Sequence, residues 1–540
     1  MKCHSIELNN QSSLIKDYRN REESIYTHFH YDPYHLQNFK KRYEYLMSQN
    51  YQRDQLADVL LEQNEKWGLT DEIKKQIEAI RNSDSVVVIG GQQAGILTGP
   101  LYTINKIVSI LLQAKEQEEF LGKPVVPVFW IAGEDHDFEE INHIFAYQNS
   151  RFKKLKLQSN SPEKTPVSSR KIDVTELNNW LDEVFSTLNE TSYSKELYQL
   201  IKSSYSHDDS YVDFFAKLIN QLFHQYGLVL VDSNDSKLRE IEKDYFKKIV
   251  SKQKAIATSV VNELDELNRQ GYQINLDATT EDGHIFYHLN GERLLLEVVD
   301  GIWRSKDDLV SFGTDELLSE IDHHPERFSN NVVTRPMMQE MVFPVLSFIG
   351  GPGEIGYWSA LKPAFEEVDL QFPIITPRLS ITFLDSKHKQ WLERFGIDIS
   401  QVINEGTNWY KMNWLKRQTS SPIEEMINQV SQDIDTLHQP VREVAYEIQD
   451  DLGSYADSNL KIIKSELNKL EKRMMKVVND QHKHTIAQFE ELNAYYYPEC
   501  GLQERMWNII HFMNEFGLEL PNLLMSTPRR WEQDHLVVEI

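Results

Sequence analysis

The sequence predicts an α/β fold: a parallel, doubly wound sheet that carries two insertions and is followed by an α-helical coiled coil. Three observations predict it. Five short runs rich in Val, Ile, Leu and Phe end in glycine or a polar residue and show no polar alternation, as strands buried on both faces do. Segments of helical spacing fill several of the connections between them. The last third switches to apolar residues at alternating steps of three and four, the coiled-coil rhythm. At 540 residues the chain exceeds one compact core, so several domains are expected.

Residues 1–84 read as an N-terminal helical part, with Thr70 as an N-cap before Ile73, Ile77 and Ile80. The first part of the core, 85–145, opens with VVVIG and continues through a glycine-rich turn. It runs on into the helical LYTINKIVSILLQAKEQEEFLG, which Gly122 ends, and the strand Val125–Ile131. Strand, turn, helix and strand make a βαβ unit, the building block of a Rossmann-like core. Residues 146–225, with the polar loop LQSNSPEKTPVSSR, form a first insertion. The core returns at 226–254 with Leu228–Val231 and Asp232. A second insertion, 255–335, has Asn290-Gly291 between alternating segments, a β-hairpin signal. Core strands follow in VFPVLSFIGGPGE and FPIITPRLS, within 336–384.

Residues 385–500 read as the helical coiled coil. One seam runs through Ile427, Val430, Ile434, Leu437, Val441, Val444 and Ile448, with Pro440 as a kink. The other runs through Leu460, Ile463, Leu467, Leu470, Met474 and Val477, with a turn expected at Gly453. Ile462, Met475 and Val478 widen the second stripe beyond what one helix covers, so a homodimer through the coiled coil is expected. The C-terminal segment, 501–540, reads as a helix and a final VVEI strand.

Charge narrows the partners. With 57 basic and 83 acidic residues the net charge is −26, a field that repels phosphate backbones and anionic membranes. No nucleic-acid or membrane partner is expected. The two cysteines, Cys3 and Cys500, make no zinc-spaced cluster, and the N-terminus lacks an apolar signal region. A cytoplasmic setting is expected.

Three polar concentrations follow predicted strands, where open α/β sheets bind ligands. In GGQQAGILTGP, backbone N–H groups of Gly91, Gly95 and Gly99, with Gln92, Gln93 and Thr98, suit an anion at the next helix N-terminus. A tight turn packed on glycine is the competing reading. In WIAGEDHDFEEINH, the block Glu134, Asp135, His136 and Asp137 suits binding or deprotonating an amine, although acidic loops are also common on surfaces. In SFIGGPGEIGYW, Gly351, Glu354 and Tyr357 face the same crevice, and Arg378 in ITPRLS could pair a phosphate, a carboxylate or a protein acid. Asn331, Arg335 and Gln339 are further candidates on the insertion side. No metal site is expected. His323-His324 are adjacent and share no helix face, and His136, Glu140 and His143 fit packing as well as ligation.

GGQQAGILTGPLYTINK, WIAGEDHDFEEINH and VLSFIGGPGEIGYW together resemble the BshC family, the cysteine ligases of bacillithiol biosynthesis, over essentially the whole chain. The resemblance implies a Rossmann-like core with two connecting-peptide insertions and a C-terminal coiled coil. It also implies a reaction joining the carboxyl of L-cysteine to the amine of glucosaminyl malate. In outline the core is similar to class I aminoacyl-tRNA synthetases, which implies ATP as the carboxyl activator. LTGP stands where those enzymes have HIGH, and PRLS where they have KMSKS. On this reading Asp135, His136 and Asp137 orient and deprotonate the amine, while the glycine-turn residues hold an anionic group. The competing function is a non-catalytic nucleotide- or metabolite-binding scaffold that assembles other enzymes through its coiled coil.

Overall fold

The computed structural model describes residues 2–158, 164–419 and 422–540. The middle of the polar loop at 157–170 lies outside the described residues. The five predicted apolar runs form one sheet: β1 (Val86–Gln92), β2 (Val125–Ile131), β3 (Val229–Asp232), β4 (Val345–Gly350) and β5 (Ile374–Pro377). Its order is β5-β4-β1-β2-β3 and every pair is parallel. The chain builds outward from β1 to one side, then crosses back to add β4 and β5 on the other. β1 and β4 therefore flank the topological switch point, where the crevice of such a sheet opens.

Sequence explains the placement. Val86–Ile89 and Val125–Ile131 are buried on both faces, in register from Val86 opposite Val125 to Gln92 opposite Ile131. Each fully buried Val, Ile or Phe side chain contributes roughly 1.5–3 kcal/mol. Between β1 and β2 runs α1 (Leu101–Leu121), closed by Gly122 at φ 61°. Thr70 caps its helix as expected, its side chain accepting from the Ile73 amide, and Ile73, Ile77 and Ile80 are buried.

The second insertion contributes a five-stranded antiparallel sheet. Its central hairpin joins Asp282–Leu289 to Glu292–Val299 through Asn290 and Gly291, at φ 52° and 83°. Two positive φ values in succession are what the Asn-Gly signal requires. Val537–Glu539 of the final VVEI run lie in the strand His535–Glu539, which pairs antiparallel with Lys2–Ile6 and parallel with Ile381–Leu384. The N-terminal strand had no sequence signal of its own: KCHSI is mostly exposed and carries little apolar pattern.

Packing divides the chain into two compact units. One comprises Met1–Gln148, Phe152–Leu384 and Gln503–Ile540; the other comprises Asn149–Arg151 and Asp385–Leu502. Within the second, α2 (Ile423–Ile448) and α3 (Asp450–Gln481) form the long antiparallel hairpin, with Tyr446 bonded to Asp457 at 2.7 Å and His438 to Asn459 at 3.2 Å. Pro440 is accommodated inside α2. One sequence expectation needs correction here. The chain reverses at Gln449 (φ −168°, ψ 140°), not at Gly453. Gly453 lies inside α3, where a Cβ would stand 2.2 Å from the Tyr446 ring, so this glycine serves close packing. The seam is not closed within the hairpin. Leu437, Val441, Val444 and Ile448 form one stripe along α2 and are 54–76% exposed. Of the residues flanking the second seam, Val478 is buried and Met475 packs on its cluster, while Ile462 is exposed.

Candidate functional site

A cavity of about 380 Å³ opens at the carboxyl ends of β1, β2 and β4, at the switch point. Gly91 and Gln92 reach it from β1, Trp130 from β2 and Phe348 from β4. Tyr102 and Lys106 reach it from α1. Four basic side chains line it: Lys106, Arg335, Arg378 and Arg505. The acids are Asp135 and Glu354. In a chain of net charge −26 this is a locally basic cleft.

The glycine-rich turn divides by role. A Cβ on Gly91 would meet the Trp130 carbonyl oxygen at 2.6 Å, so this glycine lets β1 and β2 approach. Gly91, Gln92 and Gln93 all line the cavity. Gly95 and Gly99 pack on each other, a Cβ on Gly95 falling 2.7 Å from Gly99 Cα, and both border a smaller pocket alongside. Between them Leu97 and Thr98 hold φ of 50° and 74°, a conformation costly for side-chain-bearing residues. The Asn508 side chain donates to the carbonyls of Leu97 and Gly99 at 2.8 and 2.7 Å and pins the loop. Thr98 is buried and lines neither space. At the start of α1 the Leu101 amide donates to the Trp507 carbonyl and the Thr103 amide to Pro100. Part of the helix N-terminus is thus already occupied by protein.

The acidic block also divides. Glu134 is fully buried and binds two guanidinium groups, Arg335 at 2.9 Å and Arg239. Arg239 also pairs with buried Glu242, whose carboxyl burial pushes up to about 7 against the pull of Arg239. Asp135 accepts from Arg335 at 2.6 Å and from Arg293 at 3.1 Å. Burial would raise its carboxyl, but these two arginines outweigh burial and hold it below its ordinary value. Asp135 therefore stays ionised, a fixed negative charge for a cationic group rather than a proton acceptor. His136 is half-buried beside the cleft but not on the cavity wall; its ring lies 6.5 Å from that of Phe286. Burial first, and Arg293 second, lower its pKa, so the imidazole is neutral at pH 7. Asp137 is exposed at the start of the short helix Phe138–Ile141.

The third and fourth strand ends converge on the same space. Gly351, Glu354 and Tyr357 line it. Glu354 closes a capping box by accepting from the Gly351 amide at 2.7 Å. Burial, then Glu354, push the Tyr357 phenol up, which keeps it a hydrogen-bond donor. Arg378 finds a protein partner, of the choices left open by sequence: it binds Glu504 through two bonds of 2.8 and 2.7 Å. Burial disfavours the charged Glu504, yet Arg378 overcomes it and holds the carboxyl down at about 2.

Lys106 had no sequence assignment. It is 1% exposed, and its Nζ donates to the Gly91 carbonyl at 2.7 Å, to Glu354 at 2.5 Å and to Gln92 Oε1 at 3.2 Å. Burial lowers its pKa, and Glu354 opposes that only in part. The available signal was a lysine between Ile104, Ile107 and Val108, in the largely buried first two-thirds of the helix. Arg505 was missed as well. It is exposed at the cavity and makes no ion pair or hydrogen bond among the described residues. Arg293, which steadies Asp135, comes from the second insertion, 158 residues further along the chain. Among the described residues no group of three His, Cys, Asp or Glu could hold a metal ion.

Fold and cleft together define a Rossmann-like α/β protein with a basic crevice at the switch point and a helical-hairpin domain. Comparison specifies the family. Residues 1–379 match the bacillithiol biosynthesis BshC N-terminal Rossmann-like domain, and 381–540 match the BshC C-terminal coiled-coil domain. Curated relatives carry the name "Putative cysteine ligase BshC". That of Oceanobacillus iheyensis is 37% identical over all of both chains. Those of Bacillus cereus strain Q1 and Bacillus thuringiensis subsp. konkukian are 37% and 36% identical over 98% of both. The chain belongs to the BshC family of bacillithiol biosynthesis.

Proposed function

We propose that this protein is a ligase that joins the carboxyl of L-cysteine to the amine of glucosaminyl malate, forming an amide and acting in the cytoplasm. The observation that carries this reading is the pairing, in one cleft, of an unpaired cation with an ionised acid: Arg505 lines the cavity without a protein partner, and Asp135 is held ionised by two arginines. Glucosaminyl malate has complementary chemistry, carboxylates at one end and a sugar amine at the other. Arg505 receives a malate carboxylate and Asp135 orients the amine as its ammonium. The neutral imidazole of His136, next in the loop and set back from the cavity wall, takes through a bridging water the proton that must leave before nitrogen can attack. Asp137 adds negative charge at the same turn. Gln92, Gln93 and Tyr357 supply neutral hydrogen bonds to sugar hydroxyls.

An amide does not form from a free carboxylate in water without activation. We assign that role to ATP, which would convert the cysteine carboxyl to a mixed anhydride with release of pyrophosphate. Among the cleft cations of the described residues only Arg505 has no acid partner for its phosphates to compete with, since Lys106 is held by Glu354, Arg378 by Glu504 and Arg335 by Glu134 and Asp135. The exposed stripe on α2 supports a second proposal, a homodimer. Leu437, Val441, Val444 and Ile448 form a continuous apolar face of the kind a second copy covers. The ligase reading is tested by incubating the purified protein with cysteine, glucosaminyl malate and ATP. A condensation product lacking one water supports it; the scaffold reading calls for none.

A further inference from the structure

We infer that Gln339 is a specificity residue for the amine substrate, its side-chain amide holding one hydroxyl of the sugar ring, an inference that rests on the ligase reading above. Gln339 lines the main cavity and is 4% exposed. Its side-chain amide has no hydrogen-bond partner among the described residues, yet both amide atoms keep accessible surface, so the amide opens onto the cavity. The other two glutamines on the cavity wall are engaged. Gln92 Oε1 accepts from Lys106 at 3.2 Å, and Gln93 donates to Glu140 at 2.9 Å. A nearly buried amide that the protein leaves unpaired takes its partners from the cavity.

The amide is also held in place. Gln339 belongs to the helix Thr334–Val342. At its start the Asn331 side chain accepts from the Val333 and Thr334 amides at 2.8 and 3.1 Å. Arg335, one turn before Gln339 on the same face, is gripped by Glu134 at 2.9 Å and Asp135 at 2.6 Å. Glu340, next in the chain, is buried and paired with Arg42. An amide fixed in this way offers a donor and an acceptor in one geometry, and so discriminates. A carboxylate or phosphate only accepts and an ammonium only donates, so each uses half of it. A hydroxyl donates and accepts at once. Position favours the sugar. Arg335 grips the same Asp135 that receives the sugar ammonium on the reading above. One helical turn, about 5.4 Å, is close to the span of a pyranose ring from its amine to a hydroxyl.

The experiment is calorimetric titration of the full chain with glucosaminyl malate and with its 3-, 4- and 6-deoxy analogues, parent beside Gln339→Met. Methionine keeps the length of the side chain and removes both hydrogen-bonding atoms. The variant should bind glucosaminyl malate and two of the analogues roughly three- to tenfold more weakly than the parent does, the net worth of one hydrogen bond. The remaining analogue, which lacks the hydroxyl that Gln339 holds, should bind parent and variant equally. ATP affinity should not change. If Gln339→Met melts early, Gln339→Asn, which keeps the amide but withdraws it by one methylene, decides by the same comparison. Equal losses for all four sugars, no loss for any, no sugar bound by the parent, or a loss that falls on ATP, as a nucleobase partner would give, would each overturn the inference. Product formation, followed separately by mass spectrometry, reports on the ligase reading. Product with equal losses defeats the role of Gln339 alone; the selective pattern without product defeats the ligase reading alone.

Discussion

Glu504→Gln isolates the buried pair behind the cavity wall. Glu504 is 1% exposed and receives Arg378 in a bidentate pair, with Asn105 donating at 2.6 Å and Ser380 at 3.0 Å. Its carboxyl is held at about 2, against an ordinary value of 4.5. A difference of about 2.5 units at about 1.36 kcal/mol each gives roughly 3 kcal/mol at pH 7. The sign follows from a depressed carboxyl: the contribution is fully present above pH 4.5 and is lost as pH falls toward 2. By the same relation less than half of it remains at pH 3. The variant leaves the Arg378 charge buried without an anion, a loss typically of about 3–5 kcal/mol. Urea unfolding of parent and variant at pH 7 and pH 3.5 measures this. The gap in the unfolding free energy of the unit that contains Arg378 and Glu504 should be about 3 kcal/mol at pH 7 and narrow in acid. A gap below about 1 kcal/mol at pH 7, or one that widens in acid, would refute the argument that this pair sets the wall.

The remaining expectations concern the cleft and the hairpin. Arg505→Ala, an exposed unpaired residue, should raise KM for glucosaminyl malate about 10- to 100-fold with an unchanged thermal midpoint; an unchanged KM removes Arg505 from substrate binding. His136→Ala should lower kcat by about 10²–10⁴ and flatten the rise of rate with pH, while a parent-like pH profile would show the proton leaves by another route. Lys106→Met should lower both activity and stability, because it leaves Glu354 without its cationic partner; a fully active, equally stable variant contradicts its place in the cavity wall. Leu437→Glu with Val441→Glu should give a folded monomer by light scattering, and a parent already monomeric at micromolar concentration would end the dimer proposal.

The sheet was legible because its strands are buried on both faces. Runs such as VVVIG and VVPVFWI have no other stable home, and glycine at each end marks the switch-point side. Asn290-Gly291 was legible for a local reason: only residues that tolerate positive φ fit that turn. Gly453 misled because glycine carries two meanings, a turn and a close approach, and sequence spacing does not separate them. Arg378 had several plausible partners, and only the fold brings Glu504, 126 residues away, to it. Lys106 and Arg505 were missed for opposite reasons. One is a charge within an apolar helix, and the other is an exposed charge like many others until the fold places it at the cleft. The acidic block is legible as a concentration of charge, but Glu134 and Asp135 read alike in sequence. They differ only in which guanidinium groups the insertion and β3 side bring to them.

Mass spectrometry of the purified protein with L-cysteine and glucosaminyl malate, with and without ATP, tests the central claim most directly. The expected result is an ATP-dependent product whose mass is the sum of the two substrates less one water, lost in His136→Ala and Arg505→Ala. Absence of that product from folded parent protein at every substrate concentration, with both substrates recovered intact, would contradict the ligase account.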